Sequence, residues 1–168
     1  MSAFGAAIAQ SYPAGEHALE SRLGEVRINS GFVSNFNVHT FYVYTFMFQP
    51  AGETLWHQLP IVRDTSDPTM EFVLTRTATA DFTMRDAQVF TDAEGLALAV
   101  AQLHYEATPY DDDAHVGVET FRLHRLEEEG RWILKKEGTD SAAPGLSVED
   151  ALRDVTGHHG RADTGAVP

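Results

Sequence analysis

The sequence predicts a mainly β protein, an antiparallel barrel of seven or eight strands with short N- and C-terminal helices. Three observations carry that expectation. Apolar residues recur with period two in several long runs, the periodicity of strands. Short clusters of Pro, Gly, Asp and Glu separate those runs as hairpin turns do. Long strands with one apolar face must also curl around their own side chains or cover a helix, because a flat single sheet leaves that face wet and its edges open. The alternative for the same pattern is an α+β fold, a strongly curved antiparallel sheet packed on an N-terminal helix.

Taken in order, residues from Ala3 to about Gly24 read as helical, best over Ala14–Leu23, where Ala18, Leu19, Arg22 and Leu23 suit a helix; Pro13 and Gly15 interrupt it. From Gly31 to Gln49 the chain reads as strand, with Phe36, Val38, Thr40, Tyr42, Tyr44, Phe46 and Phe48 on one side. Pro50–Glu53 turns it into Thr54–Arg63, which Pro60 assigns to an edge or a bulge. Glu71–Met84 alternates again, with Phe72, Leu74, Ala78, Ala80 and Phe82 on one face, and Ala87–Phe90 forms a shorter run. Three further β runs, Leu96–Thr108, Val116–Leu126 and Trp132–Glu137, make a meander through turns at Pro109–Asp113 and Glu127–Gly130. The expected register sets Ala99 opposite Leu123 and Ala101 opposite Phe121, small against large, and in the second hairpin Leu123 beside Leu134 and Arg125 beside Trp132. Ser147, with Asp150 three residues on, caps a short helix through about Val155 that Gly157 ends. The domain is expected to span residues 1–157, with a disordered tail over 158–168.

A chain of 168 residues is long enough to build a core without staples, and it contains no cysteine, which removes thiol nucleophiles and Cys-based zinc sites. Its formal net charge of −13 disfavours nucleic-acid backbones and anionic membrane surfaces. The first residues lack a cationic segment followed by a long apolar run, so no signal peptide or membrane span is expected and the cytoplasm is the expected location. A small molecule, a basic protein partner and a homo-oligomer all remain compatible with these properties.

The last hairpin, Glu119–Leu126 through Gly130–Leu134, resembles the closing hairpin of the NTF2-like superfamily, which includes small cyclases and isomerases. The resemblance covers only the C-terminal part of the chain. It implies more helix before the sheet than Gly31–Arg63 offers.

No phosphate loop, zinc-protease string, nucleophile elbow or dinucleotide fingerprint occurs, so chemistry must come from side chains scattered over strands. Ionisable residues whose strand parity turns them toward an apolar face are the informative ones, because burying a charge is costly unless it is paired or used. Three qualify as candidate catalytic residues: Arg76 among Phe72, Leu74 and Ala78, Glu119 beside Phe121 and Leu123, and Lys136 after Trp132 and Leu134. Glu119 and Lys136 fall diagonally across adjacent strands. Tyr42, Tyr44, Trp56, Tyr105, Phe121 and Trp132 supply aromatic walls of the kind that ligand cavities use. The expected function is to hold a small, largely apolar molecule in the barrel without a cofactor or metal, with cyclisation or isomerisation as the accessible chemistry. The alternative is a non-catalytic acidic module that binds a basic protein.

Overall fold

The computed structural model describes residues 10–35, 40–67 and 69–160. Among them the chain forms ten strands and one helix: β1 Gly15–Ser21, β2 Gly24–Val33, β3 Phe41–Pro50, β4 His57–Gln58, β5 Ile61–Val62, β6 Leu74–Ala78, β7 Thr83–Asp92, β8 Gly95–His104, β9 His115–Leu126, β10 Arg131–Ser141 and α1 Val148–Gly160. The strand order is β1-β2-β3-β6-β7-β8-β9-β10-β5, with β4 paired to β3, and every pairing is antiparallel except the short parallel contact of β10 with β5. The fold is therefore mainly β and antiparallel, but the sheet keeps two ends, β1 and β5, and does not close into the expected barrel. The obstacle lies between β4 and β5. Pro60 separates the two short strands, so the stretch touches β3 through Leu59 N–H to Phe46 O and β10 through Leu134 N–H to Pro60 O without forming one continuous strand.

The open sheet instead curves back on itself. Val26, Ile28, Tyr44, Phe46 and Phe48 from β2 and β3 pack against Val89, Leu98, Val100, Phe121, Leu123 and Leu134 from β7 to β10, and this is the main core. A second, smaller core lies on the opposite face of β7–β9, where Phe90, Ala97, Ala99, Ala101, Val116 and Val118 meet Val148, Ala151 and Leu152 of α1. The alanine row lets the helix backbone approach closely, and full burial of Val148 and Leu152 contributes about 1.5–3 kcal/mol each.

Several expectations change. Ala14–Leu23 is not helical: the residues from Gly15 form β1, paired with β2 from Gly15 opposite Ser30 to Ser21 opposite Gly24. Pairing overrides helix propensity here, and the turn depends on Gly24, whose φ is 146° and where a Cβ would run into the Gln49 carbonyl oxygen. The part of that expected helix before Gln10 lies outside the described residues. The helical cover of the sheet is C-terminal. The run expected as one strand from Gly31 is two, β2 ending at Val33 and β3 starting at Phe41, with residues 36–39 outside the described residues.

Glu71–Met84 likewise is not one strand but a hairpin, because the Thr79 hydroxyl accepts from the Asp81 and Phe82 N–H groups and turns the chain between β6 and β7. The first meander hairpin is shifted by three residues from the expected register, pairing Ala99 with Thr120 and Leu98 with Phe121. An odd shift moves Ala99 and Ala101 to the helix side, away from Phe121 and Leu123. The second hairpin pairs Trp132 with Arg125 and Leu134 with Leu123 as expected. Ser147 does cap α1, its hydroxyl accepting from Asp150 N–H at 3.1 Å, yet the helix runs through Gly157 to Gly160. The expected disordered tail thus begins inside the helix, and residues 161–168 lie outside the described residues.

Candidate binding site

Register places Phe32 opposite Tyr42 and Tyr42 opposite Arg76, so these residues form a row on one face of β2, β3 and β6. Exposure rises along the row, from Arg76 at 6% through half-buried Tyr42 to Phe32 at 51%. The Phe32 and Tyr42 rings are 5.4 Å apart, and the Arg76 guanidinium carbon lies 5.9 Å from the Tyr42 ring centre. The row thus leads from solvent down an aromatic wall to a buried cation.

Below it, Arg76 Nη2 donates to Thr83 Oγ1 at 3.1 Å, and the Thr83 hydroxyl donates to Glu149 in the first turn of α1. Asp86, 1% exposed, is 3.8 Å from Arg76 Nε, too far for a hydrogen bond. Its oxygens accept instead from Tyr44 OH at 2.9 Å, Ala87 N–H at 2.8 Å and Ser11 N–H at 3.0 Å. Burial pushes the Asp86 carboxyl above its usual range, a rise only partly offset by those donors and by the Arg76 charge. Burial also raises the Tyr44 phenol, with the neighbouring Asp86 adding to it, so Tyr44 remains a hydrogen-bond donor at neutral pH. Tyr12 stacks edge-on against Tyr44 at 5.5 Å and its phenol is pushed up to about 12 by burial.

The other two candidate catalytic residues meet elsewhere. Lys136 Nζ lies 2.9 Å from Glu119 Oε2, as the diagonal placement predicts, and Arg63 grips the same carboxylate with Nε at 3.1 Å and Nη2 at 3.1 Å. Arg63 also holds Glu71 at 2.6 Å, and Glu71 lies 3.6 Å from Arg85, so five side chains alternate in sign at the rim of the core. Burial opposes ionisation of Glu119, but hydrogen bonds and charge from Arg63 and Lys136 outweigh it and hold its carboxyl below the usual range. Each Glu119 oxygen is committed to a cation, which suits a structural clasp better than proton transfer.

The remaining aromatic candidates do not converge. Phe121 is fully buried in the main core under Arg63, Trp132 packs edge-on against Phe48 at 5.0 Å, and Trp56 lies beneath Arg27 at 4.3 Å. Tyr105 is 42% exposed and lines an open groove of about 530 Å³ with Gln102, His104 and Arg85. Among the described residues there is no group of three or more His, Asp or Glu side chains placed to hold a metal ion, and no helix is long and apolar enough to cross a membrane. Phe32, Thr83, Asp86, Arg63 and Glu71 escaped the sequence reading. Asp86 offered a signal, a lone acid directly before the short β run Ala87–Phe90, whereas Arg63 and Glu71 sit at segment ends where parity says nothing.

The molecule is an open antiparallel sheet folded over its main core, backed across a second, smaller core by a C-terminal helix, with a polar cluster beneath a partly exposed aromatic row. No protein family and no curated protein matches the chain. Among solved structures it resembles the crystal structure of CarG, with a TM-score of 0.64 and 18% identity, over 85% of this chain and 92% of that one. At that identity the likeness concerns the fold alone.

Proposed function

We propose that this protein binds a small, largely apolar molecule without a cofactor, and that the molecule lies along the Phe32–Tyr42–Arg76 row rather than inside a barrel. The observation that carries this reading is the exposure gradient: an aromatic pair half open to solvent ends at a charged group buried at its foot. Exposed rings next to a desolvated polar anchor are what orientation-specific ligand sites combine. Binding is favoured over cyclisation or isomerisation, because Asp86 and Glu119 have their oxygens committed to protein donors. The test is titration with N-phenyl-1-naphthylamine, a neutral fluorescent apolar probe. Saturable binding weakened about five- to tenfold by Phe32→Ala is expected, a scale set by loss of one ring face. Phe32 is 51% exposed, so the substitution is expected to leave the fold intact, which circular dichroism checks. Absence of saturable binding, or identical binding by Phe32→Ala, contradicts the reading.

A second reading, an acidic module for a basic protein segment, is favoured by the outer edge of β1, which pairs with no strand among the described residues and where Glu16, Ala18 and Glu20 are exposed. An extended Lys-rich peptide that binds the wild type, and binds Glu16→Lys/Glu20→Lys no better than background, supports it.

A further inference from the structure

Arg76 is a buried cation whose side-chain hydrogen-bonding capacity is largely unused among the described residues. A guanidinium carries five N–H donors. Among the described residues the Arg76 side chain makes one hydrogen bond, to Thr83, and its Nε is sealed from solvent without an acceptor. Asp86 does not fill the gap: its carboxylate already accepts three hydrogen bonds and stands 3.8 Å from Nε. Buried donors without acceptors are costly, and native interiors rarely keep them.

We propose that the molecule bound along the row carries a carboxylate, which Arg76 receives while the apolar body lies against Tyr42 and Phe32. This rests on the binding role proposed above. The planar fork of an arginine matches a carboxylate in geometry and charge, and the pairing strengthens where water is excluded. A phosphate fits less well. Asp86 stands beside the guanidinium, Glu149 lies one hydroxyl further on, and among the described residues Arg76 is the one cation these acids face in the cluster, so a dianion would meet two carboxylates with one positive charge. A monoanion with an aromatic or aliphatic body satisfies both ends of the row.

The test compares 3-phenylpropionate with 3-phenylpropionamide, which share a body and differ in charge, each titrated directly by calorimetry and by displacement of N-phenyl-1-naphthylamine. The acid is expected to bind at least tenfold tighter than the amide, and phenyl phosphate to bind more weakly than the acid. Arg76→Lys keeps the charge but loses the fork, and is expected to reduce the acid's advantage to threefold or less. Arg76→Gln should abolish it wherever thermal melting shows the variant folded. Equal binding of acid and amide to the wild type overturns the carboxylate assignment, and probe binding that persists then leaves the apolar site standing. Binding of neither acid nor amide, with no probe binding, overturns both. The wild-type comparison decides the matter even if both Arg76 variants unfold.

Discussion

Replacing Glu119 by glutamine keeps the side chain's shape and removes the charge that joins Lys136 to Arg63. The carboxylate is about one-quarter exposed and takes part in two ion pairs, one of them with both Nε and Nη2 of Arg63. Exposed pairs are worth roughly 0–1 kcal/mol, and loss of one partner from a buried pair costs about 3–5 kcal/mol. This half-buried position lies between them, and Arg63 keeps Glu71 while Lys136 can reach water. The expected loss is therefore about 1–2 kcal/mol at pH 7, a fall in Tm of roughly 3–6 °C for a chain of this size. The folded carboxyl titrates below its unfolded value of about 4.3. Its contribution is thus full above that value and disappears as the pH falls through the lower folded one. Thermal melts of both proteins from pH 7 down to pH 3 should show the gap narrowing on the acid side. A variant as stable as the wild type at pH 7, or a gap that widens in acid, refutes the clasp.

Three further outcomes follow from the packing. Tyr44→Phe removes one donor from the buried Asp86 carboxylate and should cost about 1–3 kcal/mol by urea denaturation; a neutral result would mean that Asp86 does not depend on the phenol. Ala99→Leu overfills the contact of the alanine row with α1 and should cost about 1–3 kcal/mol or more, with faster amide exchange confined to α1; unchanged exchange would place the row elsewhere. Ser147→Ala deletes the helix cap, for an expected loss of about 1 kcal/mol that Ser147→Asp restores.

The meander shows how far alternation can be read. Glu127–Gly130 is a tight turn, and such turns fix register, so Trp132 and Leu134 meet Arg125 and Leu123 as expected. The connection from β8 to β9 spans residues 105–114, long enough to leave register to tertiary packing, and there the small-against-large rule misleads. Ala99 and Ala101 are small because a helix lies on them, not because large side chains face them across the strands. The N-terminal misreading has a similar origin: Ala18, Leu19 and Arg22 are good helix formers, but the ladder with β2 decides their conformation. Parity placed Arg76 on a buried face and Glu119 beside Lys136 from sequence. It could not show that these belong to two separate clusters, since that depends on how the sheet folds back, nor that Asp86 sits beneath Tyr44, a contact between residues 42 positions apart.

The binding row is tested most directly by mapping amide chemical-shift changes in ¹⁵N-labelled protein titrated with 3-phenylpropionate. The proposed site predicts saturable changes concentrated at residues 30–33, 41–44 and 74–78, together with a shift of the Arg76 side-chain resonances as the guanidinium receives the carboxylate. Changes centred instead on the groove beside Gln102 and Tyr105, or none at millimolar concentrations, would contradict it.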